Sequence, residues 1–135
     1  MGVVTLSTAI NRAKHQGFWQ RLRFAFAGIA HALRHEQSLR LQVVALVAVL
    51  IVLAIARLGP IWWALVLIAS AGVLAAELLN TTIEHLADHL HPELHPKIRV
   101  VKDCAAAAVL LMACGAIGVA VALCIELLRS HHSLL

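Results

Sequence analysis

Glu77, Asn80, Glu84 and Asp88 follow one another at i, i+3, i+7 and i+11. That spacing stacks four polar side chains on one face of a helix. The run 61–76 ahead of them carries no charge and reads as membrane-embedded. Carboxylates at a hydrocarbon boundary are costly and mark candidate functional sites. Crowded acids repel one another unless a cation sits among them. Hard oxygens suit Mg²⁺, which is commonly held by one or two carboxylates together with substrate phosphates. Glu77 is the deepest of the four. A carboxylate at that depth is the candidate general base. Asn80, three residues on, is its candidate orienting partner. A plain interhelical polar contact is the competing reading for both.

The remaining acids sharpen the pattern. Five of the seven fall between Glu77 and Asp103: Glu77, Glu84, Asp88, Glu93 and Asp103. Glu36 precedes the first apolar run, and Glu126 alone lies at the far end of the last. Lys102 and Arg40 can supply positive charge to the cluster. Glu36 and Arg40 are spaced i, i+4 and can also simply pair. His85 and His89 share a face, with His91 and His95 beyond. They lack the HExxH order, and Pro92 disturbs the geometry, so a solvated interfacial loop is the expected reading rather than a zinc or nickel site. Cys104, Cys114 and Cys124 contain no CxxC and read as small packing residues. No Walker A sequence, glycine-rich phosphate loop or protein-kinase signature is present.

These residues must be positioned by membrane helices. Hydrophobic residues are 61% of the 135-residue chain and charged residues 13%, against about 25% charged in soluble proteins. Three apolar runs, 41–56, 61–79 and 104–128, approach or exceed the roughly 20 residues that cross a bilayer. The expected architecture is all-α: three transmembrane helices, at about 39–56, 61–84 and 103–128, preceded by an amphipathic surface helix over 18–36. Residues 1–17 read as a polar lead-in and 18–135 as one membrane domain. The surface helix is inferred from Phe18, Leu22, Phe26, Ile29 and Leu33, which fall on one face, with Arg21, His31, Arg34 and His35 largely elsewhere. Arg57-Leu58-Gly59-Pro60 makes a tight hairpin, with Gly59 permitting the turn. Trp62 and Trp63 follow as interfacial anchors. Pro92 and Pro96 end the second helix, and Asp103 suits the start of the third. No cleavable signal peptide is expected, because the first long apolar run begins near residue 41.

Six Lys and Arg lie in residues 1–40 and three in 85–103, against Arg57 and Arg129 on the other side. The positive-inside rule places the N-terminus and the 85–103 segment in the cytoplasm. Membrane orientation accounts for the net charge of +4, and no nucleic-acid recognition motif accompanies it.

The run Glu77-Leu78-Leu79-Asn80-Thr81-Thr82-Ile83-Glu84-His85-Leu86-Ala87-Asp88 resembles the signature of the prokaryotic diacylglycerol kinase family, E-x-x-N-[ST]-[SA]-[IV]-E-x-x-x-D. Lys102-Asp103 before an Ala-rich span matches as well, and so does Gly28 eight residues before Glu36 with Arg40 four further on. The family includes diacylglycerol kinases and undecaprenol kinases. The resemblance implies a homotrimeric ATP-dependent lipid kinase of the bacterial inner membrane, with its active site between subunits at the cytoplasmic interface. It implies Glu77 as general base, Glu36 and Glu84 as ligands of the Mg²⁺ that accompanies ATP, and Phe24, Glu36, Glu84, Glu93, Leu94, His95, Lys102 and Asp103 about the nucleotide. Arg40, Glu77 and Asn80 would face the lipid, with Asp88 in support. Diacylglycerol is the first expected substrate and undecaprenol the alternative.

The chain departs from the family pattern at several points. Gly17 stands where an Arg is usual in the enterobacterial type, Phe24 where that type has Tyr, and Ala106 where it has Ser. Ser38 replaces the Asn usual in Gram-positive members, and Thr82 occupies a position usually held by a smaller residue. Arg12 or Arg21 could stand in for the missing cation. A reading of another class, a small ion or metal transport protein using the intramembrane acids, would need acids distributed across the membrane. A non-enzymatic scaffold would leave the pairing of Glu77 with Asn80 without a reason.

Overall fold

The computed structural model describes residues 17–90 and 95–132, with side chains as far as 129. Four helices follow in order: α1 Phe18–His35, α2 Gln37–Ala56, α3 Pro60–Leu90 and α4 Pro96–His132. No strand occurs among the described residues. The chain is an all-α, multi-pass membrane protein, for α2, α3 and α4 are each long and apolar enough to cross a bilayer. Contacts divide it into two compact units, Met1–His35 and Glu36–Leu135.

The described part of the first unit is Gly17 and α1. The Gly17 carbonyl accepts from Gln20 N and Arg21 N, which starts the helix. Arg34 and His35 sit in its last turn, where the helix dipole favours positive charge. His31 and His35 stack at 4.2 Å between ring centroids. Phe18, Trp19 and Phe26 are exposed, Trp19 to 79%, a surface suited to a lipid interface.

The second unit is built around α3, which packs against both α4 and α2. Glu36 breaks the helical run before α2. Its backbone is extended (φ −101°, ψ 117°), and its side chain makes no cap bond. A carboxylate is nonetheless favoured at that helix N-terminus. At the other end of α2 the left-handed residue is Arg57, with φ 51°. Gly59 has no positive φ. The turn therefore closes on a C-cap Arg, and Gly59 instead contributes a carbonyl that accepts from Trp62 N at 3.1 Å.

Leu53, Val66 and Leu123, one from each helix, form the buried cluster at the hairpin end, with Trp62 and Trp63 packed against it. Close approach elsewhere relies on small residues: a Cβ at Gly72 would meet Met112 Sδ of α4 at 3.3 Å. The buried residues of α3 are Val66, Val73, Glu77 and Ala87, which share one face.

Two bounds differ from the sequence expectation. α3 continues through His85 and His89 to Leu90, and α4 begins at Pro96. The end of an apolar run is not the end of a helix, since polar residues such as His and Asp do not break one as Pro does. Pro96 sits at the first helical position, where its missing N–H costs nothing. Asp103 lies two turns inside α4 rather than at its start. His85 and His89 are helical residues, not part of a loop.

Leu53 is fully buried and Leu41 is 63% exposed. Leu53→Ala is expected to cost about 2 kcal/mol through the cavity it leaves, and Leu41→Ala less than about 0.5 kcal/mol. Reversible unfolding in mixed micelles measures both, and equal losses would contradict this packing.

Candidate functional site

At about 1.5 Å per residue, α3 outruns a hydrocarbon core of about 30 Å. Counted from Pro60, that thickness is used up near Asn80. On that count Glu77 precedes the point where the span ends, and Glu84 and Asp88 follow it. The polar stripe continues the same face of α3 that carries Val66 and Val73 into the core. Packing, not solvent, surrounds its first member: Glu77 is 8% exposed. Its carboxylate makes no hydrogen bond or ion pair with any described residue.

Asn80 turns toward Glu84 rather than Glu77. Its Nδ2 donates to Glu84 Oε1 at 2.9 Å, one turn on. Asn80 Oδ1 is buried without a partner. A buried carbonyl oxygen left unpaired is costly, and here it lies beside a carboxylate already oriented by the same side chain. Glu36 reaches this end of α3 from α2, with Oε1 3.8 Å from His85 Nε2. His85 is the residue after Glu84, so α2 and α3 bring Glu36 and Glu84 to the same end of the bundle.

Lys102 of α4 faces Asp88 of α3, its Nζ donating to both carboxylate oxygens at 2.9 and 3.2 Å. Asp103 points elsewhere, 3.8 Å from Arg99 Nε. His95 precedes α4 and caps it: its ring Nδ1 accepts from Lys97 N at 3.2 Å, and its carbonyl accepts from Ile98 N and Arg99 N. Thr82 is exposed and donates its hydroxyl to the Leu78 carbonyl at 2.8 Å, so its extra bulk does not enter the bundle.

The structure thus brings together Glu77, Asn80, Glu84, Asp88 and Lys102 along the α3 stripe, with Glu36 close by through His85. Arg40 lies exposed one turn into α2. Phe24 belongs to α1, in the other unit. Glu93, Leu94 and Arg12 lie outside the described residues. His85 was missed as a neighbour of Glu36, because that contact depends on how α2 packs on α3. Gln42, with Oε1 buried and unpartnered, was missed because it sits inside an apolar run.

Among the described residues no three His, Cys, Asp or Glu side chains gather to hold a metal. The oxygen donors at this end of the bundle are Glu84, bonded by the Asn80 amide, Asn80 Oδ1, which has no partner, and Glu36, which lies against His85. That set fits Mg²⁺, which needs few protein ligands when phosphates complete its shell.

The family model described as prokaryotic diacylglycerol kinase matches residues 23–124. A diacylglycerol kinase of Synechocystis sp. is similar at 34% identity over 96 residues, covering 70% of this chain and 55% of that protein. The chain thus spans little more than half the length of that relative. An undecaprenol kinase of Bacillus subtilis is also 34% identical over 96 residues, covering 71% of this chain and 78% of the relative. The matched span contains the whole polar stripe, Glu36 and Lys102.

A carboxylate buried within an apolar bundle is kept at the expense of stability. Glu77→Leu is therefore expected to stabilise the fold by about 1–3 kcal/mol. The unfolding midpoint in micelles measures it; a lower midpoint would mean that Glu77 is held by contacts that stabilise the bundle.

Proposed function

This chain belongs to the prokaryotic diacylglycerol kinase family, and from that premise we propose that it transfers the γ-phosphoryl group of ATP to the hydroxyl of a membrane lipid, diacylglycerol first. The observation that carries the reading is Glu77, buried one turn inside the Asn80–Glu84 pair. Phosphoryl transfer asks little covalent chemistry of a protein; it asks for an aligned nucleophile and for charge placed about the phosphates.

Glu77 takes the proton of the lipid hydroxyl as that oxygen attacks the γ-phosphorus. The hydroxyl of a lipid waits at the water–hydrocarbon boundary, the depth at which α3 holds Glu77. Asn80 holds Glu84 in place through its amide. Glu84 and Glu36 would hold Mg²⁺, which would supply positive charge to the phosphates. Lys102, anchored at rest on Asp88, adds positive charge near the nucleotide. Asp103, His95, Glu93 and Leu94 contribute to the nucleotide site, and Arg40 to the lipid side.

The working unit in this reading is a homotrimer in the bacterial inner membrane, with the N-terminus in the cytoplasm. Support for the orientation is the placing of Lys and Arg.

The test is phosphate transfer from labelled ATP to lipid in mixed micelles. Purified protein is expected to label a lipid alcohol, and absence of labelling with every lipid would overturn the reading. Glu84→Ala is expected to raise the Mg²⁺ concentration for half-maximal rate at least about tenfold. An unchanged Mg²⁺ requirement would remove Glu84 from the metal site.

A further inference from the structure

Neither phosphoryl transfer nor membrane anchoring calls on the two histidines at the C-terminal end of α1. His31 and His35 are both exposed and stand at i and i+4, so they share a face. Their rings lie against one another, 4.2 Å between centroids and 26° between planes. His35 Nδ1 is 2.8 Å from the His31 carbonyl oxygen. A carbonyl oxygen only accepts, so Nδ1 carries the proton and Nε2 of the neutral ring keeps its lone pair. That is the tautomer of a metal-ligating histidine, whose other ring nitrogen donates to a backbone carbonyl or a carboxylate. The neutral His31 ring offers a lone pair of its own.

The surroundings favour a cation held by nitrogen. α1 contains no acid, and Arg34 stands between the two histidines in the last turn, so no side-chain charge of this helix would hold a cation there. The carbonyl end of a helix, in contrast, is the negative pole of its dipole. Imidazole suits Zn²⁺, Ni²⁺ and Cu²⁺, whereas Mg²⁺ seeks hard oxygen. A dication about 2.1 Å from each ring nitrogen needs the two nitrogens about 3–3.5 Å apart. Rings 4.2 Å apart reach that spacing by a small turn about χ2, a soft torsion in histidine. His85 and His89 repeat the i, i+4 spacing on α3, but His85 turns its Nε2 toward Glu36.

We propose that His31 and His35 form a two-ligand site for a borderline transition-metal dication such as Zn²⁺ or Ni²⁺, with water in its remaining positions. A cation bridging i and i+4 clips the last two turns of α1 together. The site is built of nitrogen, unlike the oxygen donors proposed for Mg²⁺, and it does not depend on the lipid-kinase reading.

The test is amide hydrogen exchange of the full chain in micelles, with Zn²⁺ alone and with Mg²⁺ alone. The chain has nine histidines, so the readout must be local to one helix. Saturating Zn²⁺ is expected to slow exchange across residues 28–35 at least about tenfold, and the same concentration of Mg²⁺ to leave it unchanged. His31→Gln and His35→Gln keep bulk and hydrogen bonding but remove a ligand, and each is expected to abolish the protection. His31→Cys restores a soft ligand and is expected to recover it. Both positions are exposed, so these changes leave the fold intact. Absence of Zn²⁺ protection over 28–35 in the unaltered protein would overturn the proposal. So would protection that Mg²⁺ matches, protection that survives in either Gln variant, or failure of His31→Cys to recover it.

Discussion

Everything in the second unit depends on one stripe of α3. From Val66 to Ala87 the same helical face is packed against neighbouring helices, yet its chemistry changes from apolar to acidic where the hydrocarbon ends. A helix of 31 residues is long enough to carry one face through both environments without a break. Close packing in the membrane half fixes the rotation of α3 about its own axis. That rotation then decides which polar side chains turn inward. Glu77 is buried because Val73 is buried one turn earlier, and Asn80 and Glu84 follow on the same face.

This arrangement sets stability against chemistry. Lipid gives helices no hydrophobic reason to associate, so the bundle relies on close contact between small and apolar residues. Glu77 and the two unpaired amide oxygens, on Asn80 and Gln42, work against that. Glu77 is a buried carboxylate and the two oxygens are buried without a partner, and such groups concentrate where a ligand is to be met. By contrast, Asp88 and Lys102 beyond the membrane face have found one another. The residues nearest water are satisfied within the chain, and those nearest the lipid boundary are not.

Much of the architecture could be read from the sequence because lipid imposes a length and a polarity on each span. The three spans, the hairpin and the shared face of the acidic stripe all follow from that constraint. What escaped it was set by local backbone chemistry or by packing between helices. Arg57, not Gly59, takes the left-handed position, since a helix C-cap selects by place as well as by residue type. α3 runs on to Leu90 because no proline intervenes before then. The contact of Glu36 with His85, the turn of Asn80 toward Glu84 and the burial of Gln42 belong to pairs of helices or to rotamers, and no spacing rule announces them. The family resemblance, carried by Glu77 to Asp88, holds across residues 23–124.

The central claim is that the buried carboxylate of α3 is the base for a lipid hydroxyl. The most direct measurement is phosphate transfer by Glu77→Gln, made alongside ATP binding by the same preparation. The account predicts turnover reduced about 10³-fold with nucleotide binding retained. Full turnover by that variant would contradict it.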